Sequence, residues 1–388
     1  GGAPGGGGAP GGGGDQIGSD WQVPVLVRGG AAAGDGGLAG ARRVLLGPAE
    51  ATVTLPGPTG WVVANAGGSG FYRVRYEGDL LTQLTTHLPD LDALERFNLV
   101  SDTWASVVAG LAPLSDLVPL LAKVREDDDP DVWSVVAGAL ALLDRVVPEP
   151  DRPRLQGYVR SLLGPALVRT GWSAAAGEDQ RLGTLRAALV IALGTTGADP
   201  GVRERAATLH AGALAGTTTI EPDLAQAVVS VVAAAGGTQE YEAFLDRHRH
   251  PATPQEELRY LYALARFEDR ELVRRTLDLS VTEVRTQNAP FLISGLLSNR
   301  VGGADAWAFL AERWDFLLAR FPDNTHTRML DGLSALLQPG LAGEVHAFFA
   351  DHTIPSGRRT LDQTLERLDV HLALAEREGP GAVAALGV

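Results

Sequence analysis

The sequence predicts a mainly α fold: a HEAT-like α-solenoid of antiparallel helix pairs, preceded by a small, truncated β-sandwich. Three observations carry that expectation. Short runs rich in Val, Leu and aromatics, separated by Gly/Pro turns, crowd into Trp21–Tyr76. From Asp79 onward apolar residues recur at helical spacing. Asp-Pro pairs and capping boxes punctuate that second region as helix starts.

The elements follow in order. Residues 1–19, dominated by Gly, Ala and Pro, offer nothing to bury and are expected to be a flexible linker or loop. Residues 20–77 hold five expected strands: "WQVPVLVR", "RRVLLG", "EATVTLP", "WVVAN" and "GFYRVRY". In the last, Phe71, Arg73 and Arg75 fall on one face and Tyr72, Val74 and Tyr76 on the other. So few short strands are marginal alone and should lean on the helices. Residues 78–388 form the helical part. In "PDLDALERFNLVSDTWASVVAG", Leu91, Leu94, Phe97, Val100, Trp104, Val107 and Leu111 make one apolar stripe. Asp129-Pro130 and Asp199-Pro200 are N-cap and first-turn pairs. Thr253 with Glu256, and Ser280 with Glu283, read as capping boxes. Short connections imply antiparallel neighbours, each pair packing only on the next. The closing helix carries Leu361, Leu365, Leu368 and Leu372 on one face and is expected to cap the stack.

Bulk properties narrow the function. The chain has 388 residues, more than one core usually serves, and 45% of them are hydrophobic, as in a globular protein. A formal charge of -14 argues against nucleic acid and anionic membrane surfaces as partners. The longest apolar runs fall short of the ~20 residues of a membrane span. Cysteine is absent, which removes disulfides, thiolate catalysis and cysteine-ligated zinc, and makes the reducing cytoplasm the expected location.

Catalytic chemistry is scarce. The eight histidines include no H-E-x-x-H pair, the spacing that sets two ligands one helical turn apart. His248 and His250 in "RHRHPATP" would share a metal on an extended backbone; on a helix end they are cations facing the negative pole of the dipole. "GGSGFYR" and "GGTQEY" lack the Lys-Ser/Thr of a phosphate loop, and no G-x-S-x-G elbow occurs. "REDDDP", Arg125 to Pro130, lacks calcium-loop spacing and reads as a solvated turn with an N-cap. Between Val284 and Phe321 one helix ends near Asn299, Gly302 and Gly303 follow, and a second helix carries Trp307 and Trp314 on one face, as core or as a ligand-stacking pair. Arg300 either serves that helix C-terminus as a cation or points into a cavity to meet a carboxylate.

Several of these stretches occur in one order. Trp21, Val23 and Pro24 match a W-x-V-P strand. Trp61, Asn65, Gly70, Phe71, Tyr72, Arg73, Val74 and Tyr76 match a W…N…G-F-Y-R-V-x-Y stretch. Arg96, Asp102 and Gly110 lie on the following helix. Gln287, Asn288, Asn299, Gly302, Trp307, Phe309, Leu310 and Trp314 match Q-D/N…N…G…W-x-F-L…W, and Gly357, Gln363, Leu365 and Glu366 close the series. Together they resemble the C-terminal portion of the aminopeptidase N family of zinc metallopeptidases, over nearly the whole chain from Trp21. The resemblance implies the end of a β-sandwich handing over to a helical domain that curves over a catalytic face and encloses a peptide. The family's H-E-x-x-H…E zinc site and G-x-M-E-N loop are absent; the single methionine, Met329, belongs to no such loop. The chain is therefore expected to be a part cut within the sandwich, to hold no catalytic or metal-binding residue and no cofactor of its own, and to be inactive alone, while zinc serves the parent enzyme. Its expected partners are the catalytic domain of the same enzyme and a peptide substrate, with Arg300 meeting the peptide carboxylate. The alternative from another class is a free-standing α-solenoid scaffold for a protein partner.

Overall fold

Val, Leu and small residues alternate along VPVLVRGG, and this segment becomes the central strand of a small sheet. In the computed structural model β1 (Val23–Gly30) pairs antiparallel with β2 (Arg42–Leu46) and with β3 (Trp61–Val63), in the order β2-β1-β3. Val25 lies opposite Val44, and Arg28 opposite Val63. The structure describes residues 22–30, 41–47, 50–55, 59–175 and 177–388. The expected linker at 1–19, and Trp21 of the first motif, lie outside them. The described chain divides into two units, one ending at Val74 and resuming over Gly78–Glu95, the other made of Arg75–Glu77 and Arg96–Val388.

Among the described residues, neither 50–55 nor 70–76 is a strand. The alternation in "GFYRVRY" survives all the same: Phe71, Arg73 and Arg75 are exposed, and Tyr72, Val74 and Tyr76 half-buried. Period two reports an extended backbone with two faces. At Gly70 a side chain takes the bonds a ladder would use. Its N–H donates to Asn65 Oδ1 at 2.8 Å, and Asn65 Nδ2 donates to its carbonyl at 3.1 Å. A Cβ on Gly70 would lie 2.1 Å from the Tyr72 ring, so only glycine fits. Tyr72 Oη donates in turn to the Ala64 carbonyl at 3.0 Å.

The first unit buries an ion pair. Arg28 and Glu95 are 4% and 2% exposed, joined in a two-point contact with Nε 2.8 Å from Oε1. The Arg28 guanidinium stacks 4.6 Å from the Trp61 ring centroid. Glu95 also accepts from the Gly67 N–H at 3.0 Å and the Asp92 N–H at 3.2 Å. Burial pushes its carboxyl up, but Arg28 and these amides outweigh that and hold it below the usual range. The pair corrects the stripe expected on helix Ala93–Val108. Leu91, Val100 and Val107 of that stripe are buried, but Leu94 and Leu111 are 47% and 60% exposed, and the buried positions also take in Glu95, Leu99, Asp102, Thr103 and Ser106. A glutamate claimed by a distant arginine is buried where leucine spacing put Leu94.

In the helical unit the helix starts obey their caps. Asp129 accepts from the Asp131 and Val132 N–H groups at 2.9 and 3.4 Å, and Asp199 from Val202 N–H at 2.9 Å. Thr253 accepts from Glu256 N–H at 3.1 Å, while the Glu256 carboxylate reaches back to the Ala252 N–H at 2.6 Å. Such caps are each worth about 1 kcal/mol. Ser280 is not a cap. It lies inside helix Arg270–Thr282, fully buried, its hydroxyl donating to the Leu277 carbonyl at 2.6 Å, and Glu283 is the helix's C-cap. Asp269 has already started that helix, and the buried face Leu272, Val273, Thr276 carries it through the serine. The acidic run is also more than a solvated turn. Arg96 grips Asp127 at 2.6 and 3.2 Å, and Arg181 reaches Asp129 at 3.2 Å.

Every second helix packs on the next but one: Pro130–Val146 on Gln180–Gly194, then Pro222–Ala235, Pro254–Ala263 and Ala289–Leu297. Helices Arg152–Thr170, Pro200–Leu214 and Thr238–Arg249 pack onto members of that row. Trp307 and Trp314 fall on two helices, Gly303–Glu312 and Trp314–Arg320, broken at Arg313. Both are buried and meet Phe348 edge-on at 5.3 and 5.5 Å, so they are core. The terminal helix Arg358–Glu378 buries Leu361, Thr364, Leu368 and Leu374. It packs on Pro130–Val146 as well as on residues 331–335. Arg377 Nη2 donates to the Val107 carbonyl at 2.7 Å, and Leu114 N–H to Glu378 at 3.3 Å. The end of the unit thus returns to its beginning, which a stack with neighbour-only contacts would not do.

Candidate functional site

The site grows from Asn299, buried just after helix Ala289–Leu297. Its Nδ2 donates to the Ala265 and Phe267 carbonyls at 2.9 Å each, and its Oδ1 accepts from the Val301 and Gly302 N–H groups at 3.0 and 2.9 Å. The amide's hydrogen-bonding capacity is filled, and the turn over 298–302 is fixed. Gly302 closes it from the other side: a Cβ there would lie 2.4 Å from Val273 Cγ1.

Arg300 stands on this turn. It donates through Nη1 to the Asp144 carbonyl and to Asp144 Oδ2 at 3.3 Å, and through Nη2 to Glu149 at 2.7 Å. Asp144 is shared with Arg152, whose Nε lies 2.9 Å from Oδ1. Arg152 also lies 3.9 Å from Glu268. Arg145 Nη2 donates to the Ser298 carbonyl at 2.5 Å and has no carboxylate partner among the described residues. Burial above all, with Arg300 and Arg152 adding repulsion, pushes its guanidinium below the ordinary value against the pull of Asp144 and Glu268. The Arg300 hydrogen bond holds the exposed Glu149 carboxyl low. Arg145, Glu149 and Arg300 line a cavity of about 260 Å³ with Asn299, Leu336 and Gln338, and Asp144, Arg152 and Glu268 are bound to this set from outside its lining. Three arginines, 145, 152 and 300, face three carboxylates, 144, 149 and 268, so the cluster is close to neutral.

Arg300 therefore does line a cavity, but both its arms are engaged by the chain's own carboxylates. Arg266 adjoins the site through the loop that Asn299 ties down. Its side chain is exposed and has no hydrogen bond or ion pair among the described residues, yet desolvation pushes its guanidinium down. Asp144, Arg145, Glu149, Arg152, Arg266 and Glu268 were all missed from sequence. The one local signal was the charged cluster "DRVVPEPDR" closing an apolar helix.

His248 and His250 do not converge. His248 Nδ1 bonds the Glu257 carbonyl at 3.2 Å, and His250 Nδ1 the Asp246 carboxylate at 3.0 Å. Among the described residues no group of three or more His, Cys, Asp or Glu is placed to hold a metal, so they offer zinc no ligand set. Among them, too, no helix is long and apolar enough to cross a membrane.

Residues 61–370 match the family model described as the ERAP1-like C-terminal domain. The chain is 31% identical to aminopeptidase M1-B of Oryza sativa subsp. japonica over 80% of its own length and 37% of the relative's. It is 28% identical to aminopeptidase M1 of Arabidopsis thaliana, over 83% and 38%. With the puromycin-sensitive aminopeptidase of Caenorhabditis elegans it shares 26% identity over 77% and 32%. The chain thus spans about two fifths or less of the relatives it matches.

Proposed function

Because the chain belongs to the ERAP1-like C-terminal domain family, we propose that it is the substrate-enclosing, non-catalytic part of a zinc-dependent aminopeptidase that removes N-terminal residues from peptides. The observation that carries this reading is the match over residues 61–370 to a C-terminal domain whose relatives are aminopeptidases. The residues for activating water would come from the catalytic part of the same enzyme, and a chain free of cysteine suits the reducing cytoplasm. The peptide's far end would lie in the Arg300 recess. Arg300 would exchange exposed Glu149 for the peptide carboxylate, while Asp144 keeps its other arm in place. Arg145, in the recess lining and without a carboxylate partner of its own among the described residues, would add its charge to that of Arg300 once Glu149 is displaced.

Two measurements test this. Joining the chain to the catalytic part of the same polypeptide should restore or change zinc-dependent release of N-terminal residues; no change in rate or in substrate length would sink the enclosing role. In the joined enzyme, Arg300→Gln should raise KM for short peptides with a free C-terminal carboxylate by about tenfold or more and leave their C-terminal amides unaffected. Equal effects on acid and amide would remove Arg300 from that role.

A further inference from the structure

We propose that a second cavity of the helical unit binds small apolar carboxylates: one carboxylate on a branched or aromatic tail. The cavity measures about 130 Å³ and lies where helices Pro200–Leu214, Pro222–Ala235 and Pro254–Ala263 meet. A dry apolar cavity of about 150 Å³ holds benzene, so this one takes a tail of about that size. Leu214, Ile220, Val228 and Val229 supply the apolar lining. His210 and Tyr260 form a polar wall that is already satisfied, Nε2 lying 3.1 Å from the tyrosine oxygen.

The rim sets the ligand's charge. It carries Arg247, Arg259 and Glu256. Glu256 is engaged by the Ala252 N–H and lies 3.8 Å from Arg247. Arg259, half-buried, makes no hydrogen bond or ion pair among the described residues. Arg249, at the end of the preceding helix, and Arg270 and Arg275, on the helix that follows, all hold carboxylates. Two cations against one committed carboxylate leave positive charge over an apolar hole. A carboxylate on Arg259 with its tail in the hole satisfies both. That chemistry is shared by free branched-chain acids and by a peptide ending in an apolar residue. The cavity is separate from the Arg300 recess, so failure here leaves the enclosing role untouched.

Calorimetric titration of the full chain tests the site with 3-methylbutanoate, its neutral analogue 3-methylbutanamide, and a short peptide ending in leucine as acid and as amide. Millimolar or tighter binding of 3-methylbutanoate is expected, weakened at least about tenfold in 3-methylbutanamide and in Arg259→Gln. Ile220→Trp, which fills the half-buried edge of the cavity, should abolish it. Binding of the peptide acid as well assigns the site to chain ends; binding of the free acid alone assigns it to small acids. Absence of binding by either carboxylate, equal binding of acid and amide, or binding that both variants leave intact overturns the proposal.

Discussion

At the scale of single residues, buried charge and buried imidazole decide more than apolar spacing does. Glu95 is the clearest case. Removing one partner of a buried ion pair leaves the other uncompensated, so Glu95→Leu should cost roughly 3–5 kcal/mol in urea unfolding. The double variant Arg28→Met/Glu95→Leu should recover much of that loss. Because the folded carboxyl is held low, Glu95's contribution is present above its unfolded value of about 4.3 and is lost as pH falls through the folded one. His210 works in a higher window. Burial, then Arg247, push its imidazole down against Glu240. A depressed histidine gives stability above about pH 6.5 that is lost as the unfolded chain takes up a proton the native state refuses. The urea midpoint should fall between pH 7.5 and 5.5, and less steeply in His210→Phe. Arg300 could be named from sequence because it follows a helix end. Its partners Asp144 and Glu149 could not, since more than a hundred residues separate them.

At the scale of elements, local rules held where a signal was complete within a few residues. Asp129, Asp199 and Thr253 cap as their spacing requires. Ser280-x-x-Glu283 has the same letters and fails, because a helix begun at Asp269 runs through it. "GFYRVRY" keeps its two faces without becoming a strand among the described residues, its first glycine bonded by Asn65. Gly302 and Gly138 make a matched test of close packing. Gly302→Ala would drive a methyl into Val273 and should cost about 1–3 kcal/mol. Gly138→Ala, in helix Pro130–Val146 with nothing within 4 Å of its new Cβ, should stabilise by roughly 0.5–1 kcal/mol. Thermal and urea unfolding of the two variants read both signs.

At the scale of the molecule, the helical unit is tied end to start. Leu368, fully buried on the terminal helix, tests that closure. Leu368→Ala should cost about 2–5 kcal/mol and lower amide-exchange protection in Pro130–Val146 as well as around residues 331–335; loss confined to the terminal helices would describe an open stack instead. The sequence by itself determined the mainly α class, the helix starts with complete caps, and the aminopeptidase likeness, because propensity, capping and motif order act over short stretches of chain. Only the tertiary structure decided that Glu95 is buried on Ala93–Val108, which carboxylates occupy Arg300, and that the terminal helix returns to Pro130–Val146. Those outcomes depend on side chains meeting across loops of tens to hundreds of residues, and no local pattern encodes the partner.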